Sequence, residues 1–282
     1  MNLRSFITRT LTGAVYVLLL VGCTVYSPVS AFFFFAIVAA ATLWEFGSLM
    51  NTHLGARLPR PINAMAGVVL VAGVWLSSIA NPQTSQMFAL YGLLLLYIVV
   101  SALYRHSQHP LRDWALCFAS QVYIALPFAL LPLTSIVYDP AQAAFAYNWI
   151  YPLALFIFIW VNDSFAYLCG CTLQRYFPLK LFPRISPKKS WVGSIGGGLF
   201  TLAASVLIWW WQPGTMPLAR WVGFALVIVV FGTWGDLVES LLKRQLGIKD
   251  SGNVLPGHGG MLDRFDSALL AIPASVIYFI LT

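Results

Sequence analysis

Apolar residues run along this chain in blocks of about 20 positions, the length an α-helix needs to cross the roughly 30 Å hydrocarbon core of a bilayer. The blocks fall at about 11 to 26, 31 to 49, 63 to 80, 87 to 104, 114 to 135, 148 to 169, 191 to 211, 218 to 236 and 266 to 281. The pattern therefore predicts an all-α, polytopic transmembrane protein of about nine spans. The connections on one side are short and turn-like, such as Asn81-Pro82-Gln83-Thr84 and Gln212-Pro213-Gly214-Thr215.

Composition sharpens this. Of 282 residues, 60% are hydrophobic and only 9% charged, against roughly 25% charged in soluble domains. Too few polar side chains exist to cover a soluble core, and a disordered chain is excluded by the same numbers. The four cysteines include Cys169-Gly170-Cys171, with one residue between thiols where zinc sites have two or more, so all four are expected to be packing residues. The formal charge of +7 does not form a basic stripe with interleaved aromatics, which argues against nucleic acid as a partner.

The cations instead report sidedness. Fifteen of the 16 Lys and Arg residues, all but Arg220, fall on alternate connections. By the positive-inside rule this predicts a cytoplasmic N-terminus and an outside C-terminus. Arg4 and Arg9 ahead of an apolar run also describe a signal peptide, but eight further spans anchor the chain. One membrane domain, 1–282, is expected, with N-terminal membrane helices at 1–147 and a second half at 148–282 that holds most of the acids.

Charge is costly beside a bilayer, so the placement of nine acids is informative. Five of them, Asp236, Glu239, Asp250, Asp263 and Asp266, lie between 236 and 266 with Lys243, Arg244, Lys249, His258 and Arg264. A helix beginning near Pro217 and stopping at Gly247 would outrun the membrane and carry Asp236, Glu239, Ser240 and Lys243 on one face into the cytoplasm. The plainer reading of that face is an ion-paired surface, Glu239 with Lys243. Asp236, at the membrane boundary, weakens it, because a bound cation would remove the cost of an unpartnered carboxylate there.

The following loop carries glycines at 257, 259 and 260, whose amides could approach an anion, and Asp263 and Asp266 then open the last helix on a common face. Carboxylates beside a glycine turn and several cations suit a magnesium-bound polyphosphate. Upstream, Asp163 sits with Asn162, Ser164 and Tyr167 near the end of an apolar span, where an ionisable residue normally faces a cavity or polar partner. Ser186-Pro187-Lys188-Lys189-Ser190 follows; topogenic lysines at a membrane edge are the plainer reading of it.

At these residues the sequence resembles the phosphatidate cytidylyltransferases, the CDP-diacylglycerol synthases of bacterial membranes. The family signature reads here as Ser240, Lys243-Arg244, Lys249-Asp250, His258-Gly259-Gly260 and Asp263-Arg264-Phe265-Asp266, spread over 27 residues without a gap. Asn162 to Tyr167 and Ser186 to Trp191 also resemble a conserved region of that family, while Val192 stands where its members usually carry Glu or Gln.

The resemblance implies that CTP and phosphatidate give CDP-diacylglycerol and pyrophosphate at the cytoplasmic side of the bacterial inner membrane. It implies Mg²⁺ on Asp236, Asp263 and Asp266, with a second cation left open. Asp236, Ser240, Lys243, His258, Asp263 and Asp266 would form the catalytic set. Ser186, Lys188, Lys189, Arg244, Lys249, Asp163, Gly259, Gly260 and Arg264 would bind substrates. Membrane lipids are expected partners, and a homodimer is left open. The alternatives are a CTP-dependent lipid kinase, a catalytically altered paralogue motivated by Val192 and, from another class, an ion-coupled transporter using Asp163 and Asp236.

The charge asymmetry is directly testable. Reporter fusions at Thr282 and within the 170 to 189 connection are expected on opposite sides of the membrane; finding both on one side would break the nine-span topology.

Overall fold

The structure, a computed structural model, describes residues 3–78, 84–139, 144–252 and 259–282. Its elements are α1 (Leu3–Tyr26), α2 (Pro28–His53), α3 (Arg60–Ser78), α4 (Thr84–Tyr104) and α5 (Pro110–Ser120). A π-helical turn (Gln121–Ala125), α6 (Leu126–Leu130), α7 (Pro132–Ser135) and the hairpin β1 (Ile136–Asp139) and β2 (Ala144–Tyr147) follow. Then come α8 (Ile150–Leu173), the hairpin β3 (Lys180–Phe182) and β4 (Ser186–Ser190), α9 (Trp191–Trp211), α10 (Leu218–Gln245) and α11 (Leu262–Leu281). Among the described residues eight helical segments are long and apolar enough to span a membrane, and Thr10–Tyr26 of α1 is a shorter apolar helix. The all-α polytopic architecture is thus as the hydropathy blocks predict.

Two compact units divide the chain, one of residues 1–150 and 246–265, the other of 151–245 and 266–282. In the first, α3 packs on α2, α4 and the 121–130 region. Phe35 and Phe128 stack at 6.3 Å, and Phe128 meets Phe265 edge-on at 5.4 Å. A buried polar knot ties α3 to the end of α5: Asn63 Nδ2 donates to Ser120 Oγ (2.8 Å), and Gln121 Nε2 donates to Asn63 Oδ1 (2.9 Å). By contrast α4 buries only Leu94, Ile98 and Ala102, one residue per turn, and exposes Leu90, Leu93, Leu96, Val100 and Leu103. Such a surface is at home in lipid.

The fifth apolar block is not one helix. Pro127 has no N–H and its ring crowds the carbonyl a turn earlier, so the ladder widens just before it into the π turn, where Leu126 N–H reaches back to Gln121 O. Pro132 opens another short segment.

In the second unit Tyr151, Phe158, Trp221, Phe224 and Phe279 form an aromatic core. Glycines let α9 settle on α8: an added Cβ at Gly197 would lie 2.5 Å from Asn162 O, and one at Gly193 would lie 2.7 Å from Ala166 O. Ser190 caps α9, its Oγ accepting from Gly193 N at 3.2 Å. α10 runs for 28 residues, about 42 Å at 1.5 Å per residue, and the chain leaves it through Gly247 at φ +69°, close to the expected stop. All four cysteines are free thiols, but Cys171 is exposed, so the expectation that every one is a packing residue fails there.

Because the α8–α9 contact runs backbone to backbone, Gly197→Ala is expected to lower stability by about 1–3 kcal/mol. Gly92→Ala on α4, where nothing lies within 4 Å of an added Cβ, should not lower it. Thermal unfolding of the two variants in detergent measures the difference.

Candidate active site

The short β3/β4 hairpin decides where the cations go. Its strands pair Lys180 with Ser190 and Phe182 with Ser186, and Trp191 N–H donates to Leu179 O at 3.1 Å, closing the hairpin onto the start of α9. This folds the basic segment back over α8. The result is a cavity of about 640 Å³ walled by Asn162, Asp163, Tyr167, Gly170, Cys171 and Gln174 of α8 and its end, Lys180, Lys188 and Lys189 of the hairpin, Ser194 of α9, and Thr233 and Asp236 of α10.

At its centre Lys189 Nζ sits 2.6 Å from Asp236 Oδ2, both side chains about a quarter exposed. Ser240, one turn further along α10, donates its hydroxyl to Asp236 Oδ1 at 3.2 Å. Asp163 and Asp266 lie within electrostatic reach of Asp236 and of Lys189. Lys189 is thus ion-paired with Asp236 and lies within electrostatic reach of the other two acids. Asp236 is held in place by packing: a Cβ at the preceding Gly235 would lie 2.5 Å from Asp266 O and 2.9 Å from Ser267 Cα, so α10 approaches α11 backbone to backbone.

The remaining expected residues are placed differently. Lys243 Nζ pairs with the fully buried Glu239 side chain at 2.7 Å, the plainer ion-pair reading of that helix face. Arg244 Nε donates to Ile185 O in the turn of the hairpin, at 3.4 Å. Ser186 opens β4 and Val192 lies in the first turn of α9, and neither lines the cavity.

Lys249, Gly259, Gly260, Asp263 and Arg264 belong to the other unit, where Lys249 and Arg264 are exposed; His258 lies outside the described residues. Asp263 Oδ2 accepts the amides of Ser251 (3.0 Å) and Gly260 (2.9 Å). The expectation that the Gly260 amide is offered to a bound anion is corrected by this bond, since Asp263 takes it. Gly259 adopts φ +81°, the left-handed conformation that glycine enters without strain.

Among the described residues no three His, Cys, Asp or Glu side chains are arranged to hold a metal by themselves. The donor set still fits a hard divalent cation, because Mg²⁺ commonly takes one or two carboxylates and completes its shell with water and substrate phosphate. Lys180, Gln174 and Cys171 were not anticipated in the cavity wall. Lys180 was legible only as one more topogenic cation, and Gln174 and Cys171 carried no sequence signal.

Comparison with known proteins agrees with this chemistry. A phosphatidate cytidylyltransferase of Staphylococcus haemolyticus (strain JCSC1435) is 30% identical over 269 residues, covering 94% of this chain and 95% of the relative. That of Staphylococcus aureus (strain COL) is 31% identical with the same coverage. One from Staphylococcus epidermidis (strain ATCC 12228 / FDA PCI 1200) is 30% identical over 278 residues, 97% of this chain and 99% of the relative. The profile of the Cytidylyltransferase family matches residues 7–282, and the chain belongs to that family.

Proposed function

We propose that this protein is a CTP:phosphatidate cytidylyltransferase, a multi-pass membrane enzyme that makes CDP-diacylglycerol and pyrophosphate for phospholipid synthesis. The observation that carries the reading is the cavity in which Lys180, Lys188 and Lys189 face Asp163 and Asp236. A polyanionic nucleotide needs both kinds of group, cations for its phosphates and carboxylates for its counter-ion. The names of the relatives supply the substrate class.

The phosphate monoester of phosphatidate is already anionic, so it needs no Ser-His-Asp activation. Its oxygen attacks the α-phosphorus of CTP, the bond from that phosphorus to the bridging oxygen of the β-phosphate breaks, and pyrophosphate leaves with the electron pair. Bringing two anions together is the main barrier, and positioning with electrostatics lowers it. Lys180, Lys188 and Lys189 hold phosphate oxygens.

Mg²⁺ would be held by Asp236 and Asp266 and, when bound, supplies charge neutralisation of the triphosphate and of the leaving pyrophosphate. Ser240 orients Asp236. Asp263, with Oδ2 committed to two loop amides, orders the turn that opens α11. The positive-inside pattern supports a site at the cytoplasmic face of the inner membrane, where CTP arrives from water and phosphatidate presents its head group. A lipid kinase, an altered paralogue and a transporter are less well supported by the cavity and the relatives together.

Purified protein with labelled CTP, phosphatidate and Mg²⁺ is expected to yield a chloroform-soluble cytidine product and one pyrophosphate for each. CDP in place of pyrophosphate would mean γ-phosphoryl transfer and would overturn the reading.

Lys188→Ala should raise the KM for CTP and leave measurable turnover; unchanged CTP saturation would remove Lys188 from the nucleotide site. Asp236→Asn keeps volume but deletes charge at the centre of the cavity. It should cost on the order of 10³-fold in rate, with near wild-type turnover at low Mg²⁺ refuting its place on the metal.

A further inference from the structure

The carboxylate of Glu45 stands on α2, 195 residues before the signature begins at Ser240, yet it is committed to the loop within it. Glu45 is 6% exposed. Its Oε1 accepts from Ser251 Oγ at 2.5 Å and from Leu262 N at 3.1 Å, and its Oε2 accepts from Met261 N at 2.8 Å. The two amides belong to the residues that open α11, groups with no partner inside the helix, so the carboxylate satisfies them and lies at the positive end of the helix dipole.

The space around Glu45 is fitted to it. A Cβ at Gly260 would overlap Glu45 Oε1 and Ser251 Oγ, and a Cβ at Gly252 would stand 2.8 Å from Glu45 Oε2. Asp263 completes the arrangement by accepting the amides of Ser251 and Gly260. Ser251 thus gives its hydroxyl to Glu45 and its amide to Asp263, while Gly260 and Met261 give successive amides to the same two acids. Two carboxylates, one from α2 and one from α11 itself, clamp Ser251 against the first turn of α11.

We infer that Glu45 is a positioning residue for cytidylyl transfer, touching no substrate and ordering the turn that opens α11, which carries Asp263 and leads along the chain to Asp266. The inference rests on the proposed function, since an ordered turn matters to rate only if those acids serve the reaction. A buried acid that merely filled space would be interchangeable with its amide. Here three donors converge on two oxygens, and the amide of glutamine would turn an N–H toward at least one of them.

The test compares wild type, Glu45→Gln, Ser251→Ala and the double variant, each checked for monodispersity and thermal unfolding in detergent. Folded Glu45→Gln is expected to lose roughly 10- to 100-fold in kcat, as a misplaced catalytic group does, with its KM for CTP within about twofold of wild type. Its Mg²⁺ activation curve should move to higher concentration. Ser251→Ala should shift the same quantities less, and the double variant should be no worse than Glu45→Gln alone, because both substitutions break one linkage.

Wild-type kcat in folded Glu45→Gln, a change in KM alone, or additive losses in the double variant would overturn the inference. Should Glu45→Gln fail to fold, Ser251→Ala decides: reduced kcat at unchanged melting temperature supports it, and wild-type kcat overturns it. Wild-type protein that makes no CDP-diacylglycerol would refute the proposed function instead, a result visible before any variant is compared.

Discussion

A carboxylate at the edge of a bilayer has to be neutralised or solvated, and the arrangement around Asp236 follows from that requirement. With Asp163 and Asp266 in electrostatic reach, three acidic side chains gather, and Lys189, 2.6 Å from Asp236, is the positive charge paired with one of them. The hairpin β3/β4 exists to deliver that lysine, and the cap at Ser190 turns it into α9. Both side chains of that pair keep some contact with solvent. A wholly buried pair, as Glu239 with Lys243 comes close to being, costs more to disturb.

The two ion pairs divide the labour of α10. Asp236 looks into the cavity and pairs with Lys189, whereas Glu239 pairs with Lys243 one turn along the same helix. Close backbone approach at Gly235 does the rest, because a helix in van der Waals contact with the carbonyl of Asp266 cannot tilt without moving the acids on either side. Electrostatics thus sets which groups meet, and small residues set how closely.

Much of this was legible in the sequence. Hydropathy located the spans, since a bilayer imposes length on every helix, and Gly247 marked the end of α10. The signature from Ser240 to Asp266 was legible because its residues are near one another along the chain. What escaped notice depends on partners far apart. Nothing in the neighbourhood of Glu45 distinguishes it from an acid at a membrane edge, and its donors begin 206 positions later. The hairpin at 180–190 was missed because two strands of three and five residues are too short for a periodic signal. The π turn was hidden because hydropathy reads composition and is blind to the register of hydrogen bonds.

The division of the chain into units bears on how such proteins can be recombined. The first unit takes residues 1–150 and then reclaims 246–265, so no single cut yields two self-sufficient pieces. A crossover near residue 147, which the hydropathy pattern invites, would inherit the α2 acid from one parent and the glycines shaped around it from the other. Positions 45, 252 and 260 therefore form one heritable locus scattered over the sequence, and chimeras of related enzymes would have to exchange all three together.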